Sequence, residues 1–262
     1  MKRWMAKSPR LAMLVFGFPL CIVLSLLLVL AFDTPIWGIV LLDIFILVIS
    51  YTNALFYRQV FMKEAIDLFD NTCDPEPLLK ETELQLSYGI KNPALTINRA
   101  LAHRAMGEYE KNLELLKTVD GSRLSGMPIV QSVYYNNLAD AYDALGRYDA
   151  AEIWFEQCLK ATERIKNVKL KEQAEKIVTL SSVKSYIRKQ EYDKALETMR
   201  CVRAENLRMT VTLAMNYGEA YAALGEYQKA RENLQYVILN GGKCYVVEEA
   251  KKLMSTLPSA EK

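Results

Sequence analysis

The stretch Asn137-Leu138-Ala139-Asp140-Ala141-Tyr142-Asp143-Ala144-Leu145-Gly146-Arg147-Tyr148-Asp149-Ala150-Ala151 decides the fold, because it returns as Asn216-Tyr217-Gly218-Glu219-Ala220-Tyr221-Ala222-Ala223-Leu224-Gly225-Glu226-Tyr227-Gln228-Lys229-Ala230. At its centre is a short phrase: glycine or a polar residue, any residue, then tyrosine, with a small residue three places on. It occurs four times, as Gly107-Glu108-Tyr109, Gly146-Arg147-Tyr148, Gln190-Glu191-Tyr192 and Gly225-Glu226-Tyr227, and Ala151, Ala195 and Ala230 follow the last three. Intervals of 39, 44 and 35 residues fit one base unit carrying insertions, the mark of a stacked repeat. On either side, apolar and small residues recur at helical steps. Tyr135, Leu138, Ala139 and Tyr142 make one stripe; Ala151, Ile153, Phe155, Cys158 and Leu159 make its partner. Glycine permits the sharp turn between the two helices, the small residue their close approach, and tyrosine fills the crossing. The fold class expected is all-α: an α-solenoid of antiparallel helix pairs, with units near 93–120, 132–165, 176–205 and 211–242.

These residues make the chain resemble the tetratricopeptide repeat family, best in the second and fourth units and over Pro93 to Gly242 in all. The third unit departs from the pattern with Gln190 for glycine and with Thr179 and Ser182 at bulky apolar positions. The first departs further, with Arg99 and His103 in a buried stripe and Asn112 for the small residue. The resemblance implies a concave face lined by the first helix of each unit. Nine residues before each turn phrase stand Asn98, Asn137, Ser181 and Asn216, a ladder of amides and one hydroxyl. Amides pair with both N–H and C=O groups, so the ladder would suit an extended peptide. The alternative is that these short side chains are merely solvated. Asn136, Asp140, Lys184, Arg188, Met215 and Glu219 are the neighbouring candidates by spacing. Family members that grip a C-terminal carboxylate set basic side chains beside an asparagine. Here only Lys184 and Arg188 could do so, and the first unit lacks a matching base, so that clamp is not expected.

Ahead of the array, Leu11 to Phe32 runs 22 residues without a charge, about 33 Å as a helix against a hydrocarbon core of about 30 Å. Asp33, Thr34 and Pro35 interrupt it, and a second apolar run extends from Ile36 to Tyr57. The reading is a transmembrane hairpin, about 11–32 and 36–57, after a basic segment 1–10. A cleaved signal peptide fits less well, because another hydrophobic run follows where a polar mature sequence should begin. Lys2, Arg3, Lys7 and Arg10 precede the first span, Arg58 and Lys63 follow the second, and the turn holds only Asp33. Positive charge stays on the cytoplasmic side, so both ends face the cytoplasm of what looks like a bacterial membrane protein. Trp4, Trp37, Tyr51 and Tyr57 stand where interfacial aromatics belong. Asp43 is an intramembrane carboxylate, costly enough to need a partner. In a hairpin centred near Thr34, Ser25 lies at its depth, giving a structural or homo-oligomerising contact; proton or ion conduction is the alternative.

Between hairpin and array, 58–92 reads as a helix pair split at Asp74-Pro75, and 243–262 as a capping helix and tail. The insertion within Glu163 to Glu175 has helix-forming composition and should lengthen both flanking helices. The one within Asp120 to Pro128, with Gly121 and Gly126, should be a loop.

Little points to catalysis. No phosphate loop, dinucleotide fingerprint or metal-ligand cluster is present, and no cofactor or metal is expected. The single histidine, His103, replaces Tyr142, Tyr186 and Tyr221 of the other units, a helix-packing place. Five scattered cysteines without a C-x-x-C pair fit reduced, gap-filling thiols. Beyond residue 57 there are 29 basic and 29 acidic residues, a balance that argues against nucleic acid. The partners expected are a protein or peptide and the lipid bilayer.

Overall fold

A computed structural model describes residues 9–32 and 35–258. The expectations resting on Lys2, Arg3, Trp4, Lys7, Asp33 and Thr34, and on the tail beyond 258, lie outside the described residues. The chain forms two compact units: one from residues up to Ala65 with Glu83–Ile90, the other from Ile66–Thr82 with Lys91 onward.

In the first unit, α1 (Pro9–Ala12), a π-helical turn (Met13–Gly17) and α2 (Phe18–Phe32) form one arm, and α3 (Ile36–Thr72) the other; the last turns of α3 count to the second unit. Both arms are long and apolar enough to cross a membrane. The arms are antiparallel. Leu47 and Ser50 pack against Gly17, where an added Cβ would meet Leu47 at 2.9 Å. One turn further, Cys21 Sγ reaches the Asp43 carbonyl at 3.6 Å. Ser25 Oγ lies 3.1 Å from each Asp43 carboxylate oxygen. Outward-facing residues such as Leu30 (82 % exposed), Ile36 (79 %) and Trp37 (69 %) are left bare. After a turn in which Asp74 accepts from the Glu76 N–H, α4 (Glu76–Ser87) returns, and Gln85 Nε2 donates to the Arg58 carbonyl at 3.0 Å.

The second unit holds four helix pairs: α5 (Pro93–Ala105) with α6 (Tyr109–Lys117), α7 (Pro128–Ala144) with α8 (Tyr148–Glu163), α9 (Val168–Arg188) with α10 (Tyr192–Arg200), and α11 (Leu207–Ala223) with α12 (Tyr227–Asn240). A last helix, α13 (Val246–Thr256), follows. Each pair turns by the same device. The phrase's first residue takes a left-handed conformation, with φ of 80° at Gly107, 71° at Gly146, 61° at Gln190 and 76° at Gly225. Its N–H and the next one close the preceding helix; for example, Gly146 N donates to Asp143 O and Arg147 N to Tyr142 O, both at 2.9 Å. This doubly bonded stop satisfies carbonyls that would otherwise be orphaned. Gln190 keeps the same bonds, to Ile187 O and, through Glu191 N, to Tyr186 O, although a side chain is disfavoured there.

Past the turn, Ala151, Ala195 and Ala230 are buried at 4 %, 0 % and 0 % exposure, letting the helices meet. Asn112, in the same place in the first pair, is fully buried and donates to the Ala100 carbonyl at 2.7 Å, so a polar side chain fits by bonding the facing backbone. His103 is 1 % exposed with Nδ1 against Glu108 Oε2 at 2.5 Å, and burial pushes its pKa down. Leu113, Leu116, Leu124, Tyr134 and Leu138 form one core between pairs, and Val183, Leu196, Met199 and Leu213 another. The insertion after Asp120 is a 3-10 turn, Gly121–Leu124, pinned by the wholly buried Leu124. The longer insertion appears as added helix: α8 has 16 residues and α9 21, against 9 in α6 and 13 in α5, and Asn167 caps the start of α9.

Candidate ligand-binding site

The array of the second unit closes on itself. Gly241 stops α12, and Gly242, with φ of 56°, brings the chain against the end of α3, where an added Cβ would meet Thr72 O at 2.5 Å. Lys243 N donates to the Cys73 carbonyl at 3.0 Å, Cys244 Sγ reaches that carbonyl at 3.2 Å, and Lys243 Nζ pairs with Asp74 at 2.9 Å. Tyr245 then lies on the first repeat. Its N–H donates to Ala105 O at 2.8 Å, and its ring meets Tyr109 edge-on at 6.1 Å. Tyr109 donates to Glu249 of α13 at 2.7 Å, and burial raises the Tyr109 pKa. Arg208, at the start of α11, pairs with Asp70 at 2.7 Å and stacks on Phe69.

Inside the curve lies a half-open cavity of about 580 Å³, within the range of roughly 300–1,000 Å³ usual for ligand pockets. All four first helices reach it. Leu101, Asp140, Lys184 and Glu219, each six residues before its turn phrase, line it together. Apolar wall comes from Phe69, Ile187, Val211, Met215 and Val246.

The cations of the lining are mostly spoken for. Arg104 pairs with Asp140. Arg188 pairs with Asp143 and, at 3.2 Å, with Glu152, and its guanidinium lies over the Tyr148 ring at 5.0 Å. Burial pushes the Asp140 carboxyl up, but Arg104 and Lys184 charges and hydrogen bonds from Arg104 and Ser181 outweigh it, leaving Asp140 below its usual value. Glu219 goes the other way. Burial, with Glu249 and Asp143 nearby, raises it to about 7 against the attraction of Lys184.

Of the residues proposed from sequence, Asp140, Lys184, Arg188, Met215, Asn216 and Glu219 line the cavity. The others lie elsewhere on the stack. Asn137 is buried and donates to the Val133 carbonyl of its own helix at 2.9 Å. Asn136 accepts from Ser181 at 2.7 Å, tying α7 to α9. Asn98 is half-buried on α5. The register facing the lumen is six residues before the turn rather than nine, a rotation of about 60° around the helix. Asn216 is the one ladder member lining the lumen; it is 2 % exposed, and its Nδ2, itself buried, has no hydrogen-bond partner among the described residues. Sequence reasoning passed over Arg104 and Asp143, three residues before their turns, which the same repeat count could have found. It also passed over Phe69, Cys73, Arg208 and Glu249, for which no local signal exists.

Sequence profiles of the tetratricopeptide repeat match residues 133–164 and 180–239. No curated protein and no solved structure matches the chain significantly. The repeat indicates a protein-interaction scaffold and is typically non-catalytic. Four helix pairs with one shared turn geometry, two matched profiles and Ala151, Ala195 and Ala230 at the helix crossings together show that this chain carries tetratricopeptide repeats, over residues 133–164 and 180–239.

Proposed function

We propose that the protein is a membrane-anchored adaptor that holds a peptide segment of a protein partner in the lumen of its repeat array, on the cytoplasmic side. The half-open cavity, lined by all four first helices and offering both apolar wall and polar side chains, carries this reading. Asn216, Lys184, Arg188, Asp140, Met215 and Glu219 are the contacting residues, and the Asn136–Ser181 hydrogen bond holds together two of the helices that carry them.

The anchor rests on the first unit. Only 11 % of the apolar window of either candidate span is buried, whereas a core helix of a water-soluble protein hides most of its side chains. Lipid is the solvent such a surface suits. The basic residues flanking the spans in the sequence, Arg58 and Lys63 after the second among them, favour cytoplasmic termini. The Ser25 contact gives Asp43 a partner within its own hairpin, which favours a packing role for that carboxylate over conduction or oligomerisation.

A photo-crosslinking amino acid placed at Met215, inside the lumen, and at Glu156, on the exposed outer face of α8, tests the binding face in intact membranes. A discrete partner adduct is expected from position 215 alone. Equal adducts from both positions would refute the lumen as the binding face. Extraction of the protein by alkaline carbonate would refute the anchor.

A further inference from the structure

The return of the chain to the end of α3 brings together two of the five cysteines, 171 residues apart and with no pairing signal in the sequence. Cys73 follows α3 directly, and Cys244 lies two residues before α13. Cys244 Sγ is 3.2 Å from the Cys73 carbonyl, the Lys243 N–H holds the same carbonyl at 3.0 Å, and the two thiols are hydrogen-bonded to each other. The join is fixed on either side, with Gly242 packed on the Thr72 and Cys73 carbonyls and Lys243 paired with Asp74. Both cysteines line the half-open cavity; Cys244 is 9 % exposed and Cys73 is wholly buried. Cys73 also has a φ of 52°, a left-handed conformation that is costly for any residue with a Cβ. Gap filling alone does not call for a cysteine at such a backbone position. The other three meet different surroundings: Cys158 the Ser132 hydroxyl, Cys21 the Asp43 carbonyl, and Cys201 the solvent.

We infer that Cys73 and Cys244 form a reversible redox latch, in which hydrogen peroxide entering the cavity oxidises them to a disulfide that fastens the closing segment to the end of α3. The hydrogen bond from Cys244, ahead of the nearby Arg208 charge, brings the Cys73 thiol below its usual value although burial opposes it. Cys73 therefore releases its proton first. The more exposed Cys244 sulfur attacks one peroxide oxygen and passes its own proton along the hydrogen bond to Cys73. The O–O bond breaks, and the departing hydroxide takes up the proton released earlier and leaves as water. Cys73 then attacks the Cys244 sulfenic acid: the S–S bond forms, the S–O bond breaks, and the hydroxide leaves with the Cys73 proton as a second water. Two thiols lose two electrons and one peroxide gains them. A small thiol reductant reverses the bond by exchange, which suits the proposed cytoplasmic setting, where disulfides are transient and redox-sensing. The latch acts on the fold whatever the cavity holds, so its failure leaves the proposed binding role standing.

The test uses the full chain in lipid nanodiscs, reduced, treated with hydrogen peroxide, digested without reductant and mapped by mass spectrometry. A Cys73–Cys244 cross-linked peptide is expected, two hydrogens lighter than the sum of its parts, and dithiothreitol should remove it. It should form at least about tenfold faster than in the urea-unfolded chain, because the fold holds the two thiols in contact. Oxidation should raise the Tm of the array by about 5 °C or more, since the bond closes a loop spanning most of it. Cys244→Ser should abolish both the cross-link and the rise, and Cys201→Ser should leave both intact. Peroxide that oxidises Cys201 while Cys73 and Cys244 stay reduced would overturn the latch. So would cross-links spread over several cysteine pairs at the rate of the unfolded chain, or a Cys73–Cys244 bond that leaves the Tm unmoved.

Discussion

Glu219 shows how a single side chain links fold and site. Its ordinary value of 4.5 is raised to about 7 in the fold, by burial first and by neighbouring carboxylates second. Between those values the unfolded chain has lost the proton and the folded chain keeps it, so stability falls as pH rises from about 4.5 to about 7 and is flat above. The difference amounts to about 3 kcal/mol. Glu219→Gln removes that slope, and urea unfolding at pH 5 and pH 8 should show the variant gaining on the wild type only at the higher pH. His103 works in the opposite sense, since burial lowers its pKa and stability then rises with pH through the histidine range. Comparing wild type with variant cancels that contribution. At Gln190 the issue is backbone strain rather than charge. A non-glycine residue at φ of 61° sits where the other three turns use glycine. Gln190→Gly should therefore stabilise the array by about 0.5–1 kcal/mol, read as a rise in the unfolding midpoint. A fall would mean that the Gln190 side chain contributes more than the strain costs.

Among the elements, the helix pairs were the most legible part. The glycine phrase, the tyrosine and the alanine after it each answer a local demand, for a left-handed turn, a filled crossing and a close approach, so four short windows disclosed four pairs. The two insertions were legible for the same reason. Asn167 starts a helix and Gly121 breaks one by local chemistry. The hairpin contact between Ser25 and Asp43 follows from depth alone, since both arms rise equally from one turn. The closing segment is different. Gly242 is left-handed and lies against Thr72 O, at a point where nothing in its own neighbourhood requires it. Gly242→Ala should destabilise the array by about 2 kcal/mol or more, through strain and through separation of α13 from Cys73. Gly126→Ala, whose added Cβ meets nothing within 4 Å, should cost little. Thermal melts of the two variants decide this, and similar losses would show that the contact at Thr72 is slack.

On the scale of the whole repeat unit, the return of the chain to the end of α3 and the first repeat deepens the groove into a half-open cavity. Truncation after Gly242 removes Cys244, Val247 and Ala250, which are 9 %, 9 % and 0 % exposed, together with the Tyr245 and Glu249 contacts to the first repeat. Terminal helices of stacked arrays cover faces that would otherwise be bare. Hydrogen exchange should then quicken at Phe69 to Cys73 and around Ala105, while the α7–α8 core keeps its protection. Unchanged exchange at Phe69 to Cys73 would mean that the lumen does not depend on α13. By itself, the sequence determined the class of fold, the repeat count and the two apolar arms, because turn chemistry, helical periodicity and hydropathy act over a few residues at a time. The lumen was decided only by tertiary structure. The curvature that faces Asp140, Lys184 and Glu219 inward, and the return of Cys244 to Cys73 across 171 residues, arise from summed small rotations between packed helices, and no local stretch of the chain encodes that sum.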